Sequence, residues 1–254
     1  MNEIGIVDTT YRDANQSQWG EQMSTAMMVK IAPRMNRAGF KAIGASATSH
    51  FEYAVRYLRE NPWERLRLLS KLITSTPLSF MMLGTSLNIF RYVMGPIMGT
   101  WMERLAANGI SRVQLMEASN NMGDLAEAVR YAKDAGLQVI IPLVYSHSDV
   151  HTDEYYAQRT RDAVKLSPDV IYLKDPGGLI TPERTRTLFP MIQQNLDEVP
   201  LEFHSHCTTG LAPLCYLEAM KLGVKTFHTA VSPLANGPSP VSYTHLTLPT
   251  ILLV

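Results

Sequence analysis

Short apolar runs alternate along the whole chain with longer stretches of helical character. The runs are rich in β-branched and apolar residues and alternate little with polar positions. This pattern predicts strands that are buried on both faces of a parallel sheet. The eight predicted strands are Ile4–Val7, Ala42–Ala45, Leu78–Leu83, Val113–Met116, Val139–Val144, Val170–Leu173, Leu201–His206 and Thr226–Val231.

The predicted helices between these strands carry sequence signals at both ends. A glycine stands a few residues before several strands, where it supplies the left-handed conformation that closes a helix. These glycines are Gly39, Gly109, Gly136 and Gly223. N-cap residues are expected at the helix starts, in two cases followed by proline at the first helical position. The predicted N-caps are Asn61, Asp124, Asp153 and Thr181.

About eight β-then-α units in 254 residues favour a TIM (β/α)8 barrel over an open doubly wound sheet. No glycine-rich phosphate-binding fingerprint follows the first predicted strand, which argues against a dinucleotide-binding fold. We therefore predict an α/β protein with the architecture of a TIM barrel.

The last segment does not fit this pattern. Residues 241–250 resemble the translation of a transposase-type sequencing adapter, and residues 241–254 contain no charged residue and no helical apolar stripe. We expect one incomplete barrel over residues 1–240, truncated before its closing eighth helix, and a non-native read-through tail over residues 241–254.

Composition excludes several classes of partner. The formal net charge is +0 and Lys and Arg are scattered, so neither nucleic acid nor an anionic membrane is expected as a partner. No apolar run is long enough to span a bilayer. The 46% of hydrophobic residues suffices for a sizeable core, and two cysteines indicate a reducing compartment rather than a disulfide scaffold. A cytoplasmic protein is expected.

Candidate chemistry is sought at the C-terminal ends of the strands, where TIM barrels carry their functional side chains. His204 and His206 end the seventh predicted strand, and side chains two residues apart on a strand point to the same face. Asp8 follows the first strand. In a closed eight-stranded barrel, only the eighth strand lies between the first and the seventh. Together the three side chains form a two-histidine, one-carboxylate set that suits a divalent transition metal. A pair of hydrogen-bonded core histidines is the alternative explanation.

Lys174 and Asp175 end the sixth predicted strand. An ammonium group beside a cation is repelled, so near a metal Lys174 must be neutral or chemically altered. Burial and a neighbouring positive charge both lower the pKa of a lysine. The neutral amine could form a Schiff base, or add carbon dioxide to give a carbamate, which is an anionic metal ligand. An ion pair between Lys174 and Asp175 is the alternative.

Several ordered motifs resemble one enzyme family. They resemble the carboxyltransferase domain of pyruvate carboxylase, the oxaloacetate decarboxylase alpha subunit and transcarboxylase, within the metal-dependent barrels that include hydroxymethylglutaryl-CoA lyase. The resemblance covers nearly everything before Pro240. The motifs are Asp8–Ser17, Asn61–Arg67, Val150–Tyr156, Lys174–Pro182, Leu201–Gly210 and Thr229–Ala235.

The resemblance implies a metal site and a reaction. Asp8, His204, His206 and a carbamylated Lys174 would bind Zn²⁺, Mn²⁺ or Co²⁺. The implied catalytic residues are Arg12, Gln16 and Lys174, and the implied substrate-binding residues are Arg12, Gln16, Glu117 and Thr208. A 2-oxo acid such as oxaloacetate would lose its carboxyl group to give an enolate, with the metal and Arg12 holding the negative charge.

The resemblance also implies partners. The carboxyl group would pass to or from biotin on another domain or chain, so a biotin carrier and a biotin carboxylase are expected as partners. We also expect a homo-oligomer.

Three positions depart from the family pattern. The loop after the third strand, Met82–Ser86, contains no arginine to grip the substrate carboxylate, and the next arginine is Arg91. Pro238 aligns with a threonine that the family uses for proton transfer to biotin. Pro176 and Gly177 stand where methionine and alanine are common.

These departures leave two alternatives open. One is a biotin-independent carbon–carbon lyase or aldolase of the same superfamily. The other is a non-catalytic scaffold, against which the retained Asp8, Lys174, His204 and His206 argue.

Overall fold

The computed structural model describes residues 4–84, 86–88, 91–92 and 95–244. Strands and helices alternate along it. The strands are β1 (Gly5–Asp8), β2 (Ala42–Ala47), β3 (Leu78–Leu83), β4 (Ser86–Asn88), β5 (Arg91–Tyr92), β6 (Arg112–Met116), β7 (Gln138–Val144), β8 (Val170–Asp175), β9 (Leu201–Cys207), β10 (Thr226–Thr229) and β11 (Gly237–Pro240). Each of the eight predicted apolar runs coincides with one of these strands.

The helices are α1 (Asn15–Trp19), α2 (Thr25–Arg37), α3 (Thr48–Tyr53), α4 (Pro62–Leu72), α5 (Gly95–Ala107), α6 (Ala126–Asp134), α7 (Asp153–Val164), α8 (Pro182–Gln193) and α9 (Ala212–Lys221). Short π-helical turns cover Thr10–Ala14 and Ala54–Leu58, and 3-10 turns cover Met122–Leu125 and Ser232–Leu234. Within the described part of the chain, no helix has both the length and the apolar character needed to cross a bilayer.

Two of the four predicted N-caps are confirmed. The Asn61 side chain accepts a hydrogen bond from the Trp63 amide at 3.0 Å, and the Thr181 hydroxyl accepts one from the Arg184 amide at 3.1 Å. The other two are wrong. Thr152 caps α7 and Asp153 is its first residue, while Asp124 lies inside a 3-10 turn.

Eight strands close into a parallel barrel, as the sequence predicts. The order around the ring is β2, β1, β10, β9, β8, β7, β6 and β3, and β3 pairs again with β2. All eight pairings within the ring are parallel. The carboxyl ends of the strands therefore meet at one mouth, and the fold is a TIM barrel.

The two faces of β9 meet different surroundings. Phe203 points outward, and its ring lies 4.8 Å from the ring of Phe189 on α8 and 4.8 Å from that of Tyr216 on α9. Glu202 and His204 alternate with Phe203, so they face the barrel interior, where both are fully buried. The interior also holds buried polar side chains from other strands, so it is not a purely apolar core.

Beyond β10 the chain turns back towards the barrel mouth. β11 pairs antiparallel with β9, Pro240 lies opposite His206, and Ala230 bridges to Ser242. Val241 is fully buried. The predicted tail therefore begins in packed structure, but residues 245–254 lie outside the described residues, as does Thr85 in the loop after β3. The domain boundary at residue 240 stays a prediction.

Candidate metal centre

A tight turn after β1 builds one wall of the barrel mouth. The Asp8 carboxylate accepts hydrogen bonds from the Thr10 amide at 3.0 Å and from the Thr10 hydroxyl at 2.8 Å. The same hydroxyl accepts a hydrogen bond from the Val231 amide at 2.9 Å, which ties the turn to the end of β10. The π-helical turn Thr10–Ala14 then places Asp13 at its end, where it is 3% exposed.

Asp13 meets the two histidines of β9. One carboxylate oxygen of Asp13 lies 2.9 Å from His206 Nε2, and the other lies 3.4 Å from His204 Nε2. The three ligand atoms lie within 4.8 Å of one another, which is close enough to share one cation. Among the described residues, this is the only group of three or more acidic, histidine or cysteine side chains with that geometry.

The carboxylate of this group is Asp13, whereas the sequence predicted Asp8. The prediction took the residue that directly ends β1. The π-helical turn carries a second carboxylate of the same motif to the histidines, while the Asp8 carboxylate serves as a hydrogen-bond acceptor for the turn. In the structure Asp13, and not Asp8, is the carboxylate that lies beside the two histidines.

These donors fit a divalent transition ion. His206 Nε2 is buried and makes no hydrogen bond, although an Asp13 oxygen lies only 2.9 Å away. An unpaired buried ring nitrogen is costly, and two imidazole nitrogens with one carboxylate oxygen are a ligand set typical of zinc and similar ions. The geometry therefore favours the metal site over a hydrogen-bonded histidine pair for His204 and His206.

Lys174 lies beside the same group. It stands opposite His204 in the β8–β9 register, and its Nζ is 3.5 Å from His204 Nε2 and 3.6 Å from an Asp13 oxygen. Burial, helped by the positive charge of Arg12, lowers the pKa of Lys174 to about 8. At that pKa the ammonium form still predominates at pH 7, and the minor neutral fraction is the form that adds carbon dioxide.

Asp175 is engaged on the other side of β8. Its carboxylate accepts hydrogen bonds from the amides of Leu179 and Ile180 and from the Ser205 hydroxyl, at 3.0, 2.9 and 3.0 Å. Lys174 and Asp175 therefore do not form the ion pair that was the alternative prediction.

Asp13 is ionised by its surroundings. Burial by itself raises the pKa of Asp13, but the charges of Arg12 and Lys174 outweigh it and hold that pKa well below its ordinary value. Arg12 is 4% exposed and makes an ion pair with Asp13.

Comparison with known sequences shows which family this barrel belongs to. The sequence model of the HMGL-like family matches residues 110–236, which is half of the chain. The chain belongs to the HMGL-like family. The predicted resemblance to this group of barrels is thereby confirmed.

Relatives of this HMGL-like chain are longer proteins. A pyruvate carboxylase subunit of Methanocaldococcus jannaschii is 35% identical over 236 residues, which are 93% of this chain and 41% of that protein. The methylmalonyl-CoA carboxyltransferase 5S subunit of Propionibacterium freudenreichii is 28% identical over 237 residues, which are 93% of this chain and 47% of that protein. The chain therefore spans less than half the length of these relatives.

Solved structures share the fold. The carboxyl transferase domain from Rhizobium etli pyruvate carboxylase, solved with pyruvate and biocytin, matches with a TM-score of 0.92 and 21% identity. The match covers 97% of this chain and 43% of that one. It shows that nearly the whole chain, and not only residues 110–236, shares this fold.

The remaining predicted substrate residues of the HMGL-like barrel are less tightly gathered. Gln16 on α1 and Thr208 after β9 are exposed, and Glu117 is half-buried. The Glu117 carboxylate accepts hydrogen bonds from Ser119 and Asn121 in its own loop. Among the described residues, none of the three hydrogen-bonds to the Asp13 group.

Two interior residues behind His204 went unassigned in the sequence. His228 on β10 lies 3.3 Å from His204, Nδ1 to Nδ1, and its Nε2 lies 2.9 Å from a Glu202 oxygen. The available signal was alternation on β9, because an acidic residue at position 202 shares the face of His204 and His206.

Proposed function

We propose that this chain is the carboxyltransferase part of a biotin-dependent enzyme that acts on a 2-oxo acid of the pyruvate or oxaloacetate type. The observation that carries the proposal is the group Asp13, Lys174, His204 and His206 at the mouth of an HMGL-like barrel. The relatives named for pyruvate carboxylase and for methylmalonyl-CoA carboxyltransferase support it. Since the chain spans less than half of them, a biotin carrier and a biotin carboxylase would be supplied by other domains or chains.

We propose that Asp13, His204 and His206 hold a divalent ion, Zn²⁺, Mn²⁺ or Co²⁺, and that Lys174 joins them as a carbamate. A cation bound there supplies Lewis-acid polarisation of the substrate carbonyl and stabilises the negative charge of the enolate. To form the carbamate, the neutral Lys174 nitrogen attacks the carbon of carbon dioxide and releases a proton. The product is an anion, which removes the repulsion between an ammonium group and the cation.

The chain's own residues have distinct parts in this proposal. Arg12 is buried beside Asp13 and carries a guanidinium group, so it is placed to stabilise a carboxylate or enolate oxygen. Gln16 and Thr208 are exposed and therefore open to a substrate arriving from solvent. Glu117 has the weakest support as a substrate contact, because its own loop occupies its carboxylate.

Oxaloacetate decarboxylation tests the function. We expect the chain, loaded with Zn²⁺, Mn²⁺ or Co²⁺, to form pyruvate above the rate of the free metal, and faster when biotin is added. Asp13→Asn should lose about a hundredfold or more of this rate, since it removes a ligand of the group that stabilises the enolate charge. Asp8→Asn is the matched control and should keep the rate. Equal rates in the wild type and in Asp13→Asn would rule out the proposed site.

A second function is a biotin-independent lyase or aldolase of the same barrel type. Pro238 is the observation that favours it, because proline has no hydroxyl to donate a proton and its side chain is exposed on β11. The assay above separates the two functions. A rate that depends on Asp13 but not on biotin, together with cleavage of a 4-hydroxy-2-oxo acid, would favour the lyase.

We further propose that the protein works in a reducing compartment such as the cytoplasm and as a homo-oligomer. Cys207 and Cys215 are both free thiols and both buried, which supports the first statement. The second rests on the family resemblance.

A further inference from the structure

On the side of His204 that is turned away from Asp13, the buried side chains of His228 and Glu202 continue from it in a line. His204 Nδ1 lies 3.3 Å from His228 Nδ1, and His228 Nε2 lies 2.9 Å from a Glu202 oxygen. Glu202 and His204 share one face of β9, and the β9–β10 register puts His228 next to them. All three side chains are at most 2% exposed.

Glu202 is the ionised end of this line. Arg112 and Lys41 each place a nitrogen 3.4 Å from the same Glu202 oxygen. With these two cationic nitrogens close by and a His228 ring nitrogen 2.9 Å away, the buried Glu202 carboxylate is held in its ionised form. An ionised carboxylate only accepts hydrogen bonds, so the His228 nitrogen facing it must carry a hydrogen.

The hydrogen on His228 Nε2 in turn decides which nitrogen of His204 carries a hydrogen. A neutral imidazole has one N–H and one bare nitrogen. Both rings are buried with cations close by, Lys174 at 3.5 Å from His204 and Arg112 on the Glu202 carboxylate that His228 contacts, so a further positive charge on either ring is disfavoured. With its hydrogen on Nε2, His228 offers a bare Nδ1. His204 must then place its hydrogen on Nδ1 to donate to it, which leaves His204 Nε2 bare.

We propose that Glu202 and His228 are positioning residues that hold His204 in the Nδ1–H tautomer. In this tautomer the Nε2 lone pair of His204 faces the Asp13 and Lys174 groups, at 3.4 and 3.5 Å, ready for a metal ion. The inference deepens the proposed metal site and rests on it. A partner on the outer ring nitrogen commonly fixes the tautomer and raises the basicity of a metal-binding histidine.

The opposite assignment fits the contacts poorly. If His204 carried its hydrogen on Nε2, its bare Nδ1 would face the bare Nδ1 of His228 at 3.3 Å. Reversing His228 as well would turn its bare Nε2 towards the Glu202 carboxylate at 2.9 Å. Either choice sets two lone pairs against each other in a buried place. In the proposed tautomer the bare Nε2 of His204 also lies 3.4 Å from an Asp13 oxygen, but the Lys174 nitrogen at 3.5 Å can donate to it.

Nitrogen-15 NMR of the metal-free wild-type chain, labelled at its seven histidines, tests the tautomers directly. We expect His204 to show Nδ1–H and His228 to show Nε2–H, with assignments from single-histidine variants. A His204 signal of the Nε2–H tautomer would overturn the proposal. The wild-type chain carries the deciding signals, and correlating each ring with its own backbone assigns them if a variant fails to fold.

Metal affinity tests the consequence. His228→Leu removes the acceptor and should weaken Co²⁺ or Zn²⁺ binding about 10- to 100-fold, measured by competition with a chelator. His228→Gln carries one acceptor and one donor on the same side chain and should restore most of the affinity. Tyr172→Phe is the matched control. It removes a buried hydrogen bond to Gln114, 3.0 Å long, and its ring packs on His228, but it lies outside the line.

The visible absorption spectrum of bound Co²⁺ gives a second readout. It should change in His228→Leu and stay close to wild type in His228→Gln and Tyr172→Phe. Unchanged affinity and spectrum in His228→Leu would overturn the inference while leaving the metal site intact. Absence of metal binding in the wild type would instead overturn the proposed function, and with it the role assigned to Glu202 and His228.

Discussion

Asp8 and Asp13 are buried carboxylates of one motif with opposite electrostatics. Among the described residues, Asp8 has only the Thr10 amide and hydroxyl as hydrogen-bond partners, so burial dominates and raises its pKa to about 7. Asp13 has Arg12 and Lys174 beside it, and their charges hold its pKa well below the ordinary value despite burial. Neighbouring charge, rather than burial, therefore decides which carboxylate is the anion that a cation needs.

Asp8 should make the folded state less stable as the pH rises. The folded chain prefers protonated Asp8, so its contribution to stability is fully present below the ordinary pKa of 3.8 and is lost as the pH rises through about 7. One pKa unit is worth about 1.4 kcal/mol, so the share of Asp8 is on the order of 4 kcal/mol. We expect Asp8→Asn to flatten the pH dependence of the free energy of unfolding between pH 4 and 7, measured with urea.

The Asp8→Asn substitution should preserve the hydrogen bonds of this side chain, so that it tests the charge alone. An asparagine at position 8 can still accept from the Thr10 amide, and the Thr10 hydroxyl can turn to accept from the new amide group. The variant should therefore match or exceed the wild type in stability at pH 8. Parallel curves for the two proteins across the range would contradict the assigned pKa.

At the scale of elements, the loop after β8 is pressed against the end of β9. Gly178 has φ +62°, and a Cβ at this position would lie 2.7 Å from the carbonyl oxygen of His206 and 2.9 Å from the amide of Thr208. The Thr209 hydroxyl also donates to the Gly178 carbonyl at 2.7 Å. The strand that carries both histidines is thus held in place by a glycine of the neighbouring loop.

Gly178→Ala should disturb both stability and the site. Alanine with positive φ costs about 1–2 kcal/mol, and the contact with the backbone of His206 must add to this cost by moving the end of β9. Metal affinity should fall about tenfold, as when other supporting groups of a metal site are altered. Urea unfolding and chelator competition would measure the two effects.

Gly136→Ala is the matched control for this substitution. Gly136 also has a positive φ, +75°, but a Cβ there would have nothing within 4 Å. It should show the backbone cost alone, with unchanged metal affinity. If Gly178→Ala lost no more stability and no more affinity than Gly136→Ala, the close contact with His206 would have no role in holding the site.

At the scale of the whole molecule, ring closure assembles the site. Asp13 follows β1, Lys174 ends β8 and the two histidines end β9, with β10 between β9 and β1. Residues about 160 or more positions apart in the sequence thus meet only when the barrel closes. A metal ion bound by them would bind the folded chain and not the unfolded one.

Metal should therefore stabilise the whole barrel. At a free ion concentration 100 times the Kd, ion binding raises the free energy of unfolding by about 2.7 kcal/mol. For a chain of this size, this raises Tm by about 5–10 °C. Asp13→Asn should lack most of this shift, and a chelator should reverse it in the wild type. Thermal unfolding followed by circular dichroism, with and without Zn²⁺, Mn²⁺ or Co²⁺, provides the measurement. An equal shift in Asp13→Asn would place the ion elsewhere.

The amino-acid pattern alone determined the architecture of this protein. Continuous apolar runs such as Val170–Leu173, glycines at the helix ends and caps such as Asn61 and Thr181 are local signals, and local signals specify strands and helices without knowledge of the rest of the chain. Two-residue alternation likewise put His204 and His206 on one face. The number of β-then-α units then left the barrel as the simplest closed arrangement.

Tertiary structure decided which side chains meet at the mouth. The choice of Asp13 over Asp8 depends on a π-helical turn that no periodic pattern announces, and the partnership of Glu202 with His228 depends on the register between two strands. The pKa values of Lys174 and Asp8 depend on burial and on charges brought near by ring closure. Residues that are far apart in the sequence come into contact because the strands that carry them are brought together in the closed barrel.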